Sequence, residues 1–323
     1  MLLQRNTNRF WFLTTTVVVV GLLVLIWLIQ QRNDTLSPSE ASGEGGTTQQ
    51  PSNIPPVTAT AIRKALFFEE NLFLDGVTQA KKNPPPNLSS NKIIGGITPH
   101  HLLPSTLLSR FWQTIAAQHP KTIIIIGPNH YEAGSAPILS STNTWETPFG
   151  NVAADQQLID TFFSIPSFAL NDRVIQSDHS VTGSLPYIKY YSPNSTVVPL
   201  LISNRMNLDQ ITTLATALSE KLKDRDDVII VAAIDFSHYL NAKQAAQKDE
   251  ITAKLMEARE YERIMKLSND YVDSPAPLPL FLMLMDSFGS SKTVLLDHSN
   301  SGELLHEPNV QTTSYFSEVF VKK

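Results

Sequence analysis

The stretch "KTIIIIGPNHYEAG", Lys121 to Gly134, constrains this chain more than any other. Four consecutive isoleucines leave no polar face, so the segment reads as a strand buried on both sides. Gly127-Pro128 then break the strand and Asn129, His130 and Tyr131 follow. "KIIGGIT", "STVVPLLIS" and "DVIIVAAID" have the same two-faced apolar character, and helical patterns lie between them. One of these, "LDQITTLATALSEKLKD", has apolar residues at i, i+3, i+4 and i+7. Buried strands alternating with helices predict an α/β domain: a three-layer sandwich around a mainly parallel sheet.

The N-terminal part has a different character. Phe10 to Ile29 carries no charge, and twenty residues at helical rise match the thickness of a bilayer. Trp11 and Trp27 stand near its ends, with Arg5 and Arg9 before it. The pattern predicts a short cytoplasmic N-terminus over 1–9, a transmembrane anchor over 10–30 and a flexible linker over 31–57. A single globular domain, extracytoplasmic and tethered to the membrane, then covers 58–323. A cleaved signal peptide is the competing reading, but the span is long for one and no small-x-small site follows it closely.

Composition removes several classes of function. There is no cysteine, so disulfides, thiolate metal sites and a cysteine nucleophile are excluded. A net charge of −5 and the lack of a basic stripe argue against a nucleic-acid partner. No Gly-x-Ser-x-Gly elbow is present, which disfavours a serine hydrolase.

The eight histidines are not scattered evenly. "GGIT" leads into Pro99-His100-His101, "IIIIG" into Pro128-Asn129-His130, and "VIIVAAI" into Asp235-Phe236-Ser237-His238. His179, in "SDHSV", stands at a helix start. In open α/β sheets the carboxyl ends of the strands form the binding cleft. Asp235 closes an apolar strand, needs a partner once buried, and has His238 in the same turn. Two or three neutral imidazoles with a carboxylate suit a divalent first-row metal, iron(II) or zinc alike. His119 reads as a surface residue, and His298 and His306 lie in or beside an irregular polar stretch.

The ordered motifs "PH … GPNHY … ETPFG … DHS … LPY … DFSHY … SYF" resemble those of the Memo-like family, also called AmmeMemoRadiSam system protein B. The match runs over about Ile94 to Phe320. The family is similar in fold to class III extradiol dioxygenases, which hold non-haem iron(II) between two histidines and a carboxylate. The resemblance implies metal ligands at His100 and His130, and pocket residues at His179, Asp235 and His238 for acid-base work. The family's third ligand position is often a cysteine. Anchored on the proline before the late helix, that position falls on Asp273, with Asp270 as the neighbouring alternative. The implied cofactor is a divalent metal, iron(II) first, with copper or zinc as alternatives. The implied activity is metal-dependent redox or dioxygenase-like chemistry on a small organic substrate. The alternatives are a non-catalytic metal- or partner-binding module and a metal-assisted hydrolase. The identity of the substrate or protein partner stays open.

Overall fold

Strands form where both faces are apolar, and their order in space decides where their ends converge. A computed structural model describes residues 61–88 and 90–322. Twelve strands occur among them: β1 Ile62–Lys64, β2 Lys92–Thr98, β3 Thr122–Pro128, β4 Ile138–Ser140, β5 Thr144–Thr147, β6 Gly150–Ala153, β7 Phe168–Leu170, β8 Thr196–Ile202, β9 Val228–Ala233, β10 His238–Leu240, β11 Ser290–Asn300 and β12 Thr312–Lys322. The main sheet runs β10-β12-β2-β9-β3-β8-β4-β7, with β11 on β12, and a small second sheet runs β1-β5-β6.

The four strands foreseen from their apolar runs, β2, β9, β3 and β8, are adjacent and parallel. Around them the sheet is mixed, and this corrects the expectation of a mainly parallel one. β12 pairs antiparallel with β2, β11 and β10, and β4 pairs antiparallel with β8. The chain crosses over through helices while it builds the centre. It returns through a short β11–β12 connection that holds only the helical turn Ser301–Leu304 and a loop, and the pairing there is antiparallel.

Alternation along β3 sends side chains into two separate cores. Ile124 and Ile126 join one, with the helices Leu208–Leu222 and Pro277–Ser287. Ile123 and Ile125 join the other, with the helices Glu70–Lys82 and Ser105–Ala116. Helices thus cover both faces of one sheet, and the central strands can present polar residues only at their ends. Between Ile62 and Lys82 the chain is helical only over Glu70–Lys82, and Ile62–Lys64 pairs with β5.

The expected membrane tether is corrected. Among the described residues no helix is long and apolar enough to cross a membrane. The helix Ala242–Glu257 has 16 residues but carries charges along its length, and the apolar helix Pro277–Ser287 has only 11. Neither approaches about 20 uncharged residues. The segments 1–9, 10–30 and 31–57 lie outside the described residues, and a single-pass extracytoplasmic placement gains no support from the structure.

Candidate metal centre

Three neighbouring strands deliver one site residue each, two positions past their last residue. β2 ends at Thr98 and gives His100; β3 ends at Pro128 and gives His130; β9 ends at Ala233 and gives Asp235. The registers Thr98↔Ala233 and Ile126↔Ala232 bring these ends level. The parallel pairing therefore converts three sequence-distant turns into one cluster.

Each imidazole is fixed by a bond on the side facing the protein. His100 donates from Nδ1 to the Ala233 carbonyl at 3.1 Å, and its backbone N–H donates to Asp235 Oδ1 at 3.1 Å. His130 is held twice by one carboxylate. Its Nδ1 lies 3.0 Å from Asp178 Oδ1, and its backbone N–H donates to Asp178 Oδ2, also at 3.0 Å. With Nδ1 so engaged on both rings, Nε2 is the nitrogen turned to the cluster.

Asp178 is fully buried and also caps the short helix His179–Thr182 by accepting from Ser180 N–H at 2.9 Å. That helix packs closely on β3, where a Cβ added at Gly127 would lie 2.6 Å from Ser180 Oγ. Only glycine permits the approach, and the approach is what brings Asp178 and His179 to His130. His179 stacks on His130 with ring centroids 4.3 Å apart, and His100 meets both rings edge-on at 4.9 Å. Ligand nitrogens of His100, His130 and His179 lie within 4.8 Å of one another, so the three could hold a metal ion.

Asp273 closes the group. Its backbone N–H donates to the Asp235 carbonyl at 3.2 Å, and the following Ser274 and Ala276 donate to Asn204 Oδ1 just past β8. The side chain is 7% exposed, and its Oδ2 lies 3.3 Å from His100 Nε2 and 3.6 Å from His130 Nε2. Among the described residues, no donor reaches either carboxylate oxygen within hydrogen-bond geometry. Asp270, the neighbouring alternative, is engaged elsewhere, with Lys248 at 2.8 Å and with the Ser268 hydroxyl.

Electrostatics split the two stacked histidines. Burial alone would lower the pKa of His130, but the carboxylates of Asp178 and Asp273 outweigh it and raise it to about 10. Burial lowers the pKa of His179 to about 4, helped by the neighbouring His100 and His130. The Asp178 carboxyl is held below its usual range: burial opposes this, and the bond from His130 overcomes it.

The other expected residues are placed as follows. The Asp235–His238 pair is not formed. Asp235 faces His100 instead, with Oδ2 3.5 Å from Nε2, and His238 turns its Nδ1 to the Phe236 carbonyl at 2.6 Å. The strand β10 begins at His238 and its pairing with β12 carries the ring away from Asp235. His101 leaves the cluster for the Tyr315 hydroxyl at 2.6 Å, and His298 pairs with the buried Asp249 at 2.8 Å. Asp178 was missed, although an acidic residue immediately before a helix-starting histidine is a recognisable capping signal.

A family model described as Memo-like protein matches residues 70–319. The chain belongs to this family. A MEMO1 family protein of Caldivirga maquilingensis is 28% identical over 63% of this Memo-like chain and 73% of its own length. One from Pyrobaculum arsenaticum is 27% identical over 71% and 84%, and one from Aquifex aeolicus 25% over 62% and 76%. A crystal structure of an uncharacterized protein from Escherichia coli K12 covers 70% of the Memo-like chain and 99% of its own. Its TM-score is 0.49 at 14% identity.

Proposed function

We propose that this Memo-like protein binds one divalent metal ion through His100, His130 and Asp273, with His179 beside it, and carries out redox or dioxygenase-like chemistry on a small organic substrate. One observation carries the metal: Asp273 is buried, neither of its oxygens has a hydrogen-bond donor, and two Nε2 atoms share its space. In the metal-free chain the charged His130 ring faces this carboxylate, and a bound metal would take over that role as the ring gives up its proton. Two imidazoles and one carboxylate suit non-haem iron(II), and zinc or copper are the alternatives. A bound metal would supply Lewis acidity and, as iron or copper, one-electron redox capacity.

The protein's own groups take definite roles. The Ala233 carbonyl and Asp178 hold the ligand rings in one tautomer, and Asp235 orients the His100 backbone. His179, kept neutral by its low pKa, can accept a hydrogen bond from a substrate hydroxyl and so orient it. A cavity of 390 Å³ opens beside His100 and His179, walled by Phe67, Leu72, Leu102 and Leu103. Its apolar walls favour an uncharged aromatic or aliphatic body and exclude water from the reacting group. His238, bonded to its own loop, receives no proton-transfer role.

The test is metal analysis of the purified protein, then anaerobic iron(II) loading and measurement of O2 uptake with a panel of catechols. Uptake that vanishes in Asp273→Asn supports the reading. Stoichiometric metal with no uptake from any catechol would remove the ring-cleavage part. A second reading, a metal-containing docking module, is favoured by Tyr131 and Tyr239, exposed next to His130 and His238. Partner binding that survives His130→Ala while metal is lost would select it.

A further inference from the structure

Strand β12 contains a residue that contradicts its own pattern. Its alternate residues Phe316, Glu318 and Phe320 share one face, and both phenylalanines belong to the hydrophobic core there. Glu318 lies between them, flanked across the sheet by Ile97 on β2 and Leu295 on β11. It is 9% exposed, and no hydrogen bond or ion pair reaches its carboxylate among the described residues. The nearest opposite charges act only through space. Arg259 is committed to Asp286 and to the Met256 carbonyl, and His298 to Asp249.

The carboxylate is not packed against protein. It lines a cavity of 520 Å³ between β11, β12 and the end of the helix Ala242–Glu257. Met256, Leu295 and Phe320 give that cavity apolar walls, while Glu257, Lys292 and Arg259 add charges to its lining. The volume is in the range of small-molecule sites. Arg259 is offset by Asp286 and Lys292 by Glu257, so the chemistry is set by the buried acid.

We propose that this cavity is a second ligand site, separate from the metal centre, and that it takes a small organic amine with its ammonium group on Glu318 and its apolar body against Met256, Leu295 and Phe320. Burial raises the Glu318 carboxyl to about 7, in keeping with an acid that gains its partner only when a ligand arrives.

The experiment is calorimetric titration of the full chain, freed of metal by a chelator, with benzylamine and hexylamine, and with benzyl alcohol and hexanol as neutral counterparts. The amines should bind at least about tenfold more tightly than the alcohols, as a hydrogen bond to a charged group implies. Glu318→Gln, close in shape, should abolish that preference, and Leu295→Trp at the half-exposed wall should block both amines. Glu257→Gln and His130→Ala should leave binding intact. Equal binding of amine and alcohol, or unchanged amine binding in both Glu318→Gln and Leu295→Trp, would overturn the proposal. So would loss of binding in His130→Ala, which would put the amine on the metal centre.

Discussion

Asp273 Oδ2 lies 3.3 Å from His100 Nε2, yet accepts no hydrogen bond from it. The reason is on the far side of the ring, where Nδ1 donates to the Ala233 carbonyl. A neutral imidazole with Nδ1 protonated offers a lone pair at Nε2, so lone pairs on both atoms meet face to face. Two acceptors held at that separation inside a protein need a cation between or beside them. His130 supplies positive charge there in the metal-free chain, since its ring, charged below about pH 10, faces Asp273 from 3.6 Å.

Replacing Asp273 tests this directly. Asp273→Asn should lower metal content from near one equivalent to a small fraction, because a neutral amide is a poor ligand. In the metal-free chain the same change should lower Tm modestly at pH 7, since the charged His130 ring loses one of its two carboxylate partners. Plasma emission for metal and calorimetry for Tm give the two readouts. A Tm drop with metal retained would show that Asp273 serves packing and not the ion.

Asp178 sits behind His130 and touches no substrate space. Asp178→Asn keeps the cap on Ser180 but loses the charge that orients the His130 ring. Metal affinity should fall by about 10–100-fold, the usual cost of losing a partner behind a ligand. Competition against a chelator of known affinity measures it. The more severe Asp178→Ala should also loosen the helix His179–Thr182.

Metal uptake should release close to one proton at pH 7. With its pKa at about 10 the metal-free His130 is a cation, and a ligand imidazole must be neutral. His179, at about 4, is already neutral and contributes none. Calorimetric titrations of the metal in buffers of different ionisation enthalpy yield the proton count. His130→Ala should bring it to near zero along with the affinity.

Much of this centre is legible in the amino-acid sequence. Two-faced apolar strands such as β3 can be recognised from composition alone, and residues just past them must leave the sheet at one end if the strands are parallel. That reasoning found His100, His130 and Asp235. It paired Asp235 with His238 because they share a turn, whereas register across the sheet gives Asp235 to His100. Sequence proximity is a poor guide to contact where strands lie side by side. The antiparallel return of β11 and β12 was illegible for a related reason, because direction depends on which edge a late strand reaches. Asp178 has a local signal as a helix cap, but its bond to His130 spans 48 positions and no local pattern announces it.

The two stacked rings contribute a part of the metal-free chain's stability that peaks near pH 6.5, while the raised Glu318 carboxyl opposes the acid limb. An unfolded histidine titrates at about 6.5. His130, raised to about 10, contributes stability that is complete below pH 6.5 and is lost as pH climbs from there towards 10. His179, lowered to about 4, acts in the other direction. The unfolded chain gains a proton there first, so stability falls as pH drops from 6.5 towards 4. Tm measured across pH 4 to 10 in a Glu318→Gln background, which removes that opposing titration, should therefore form a dome. Replacing His179 by Gln should flatten the acid limb and leave the alkaline limb, while His130→Gln should do the reverse. A dome that both variants leave unchanged would place its origin outside this pair.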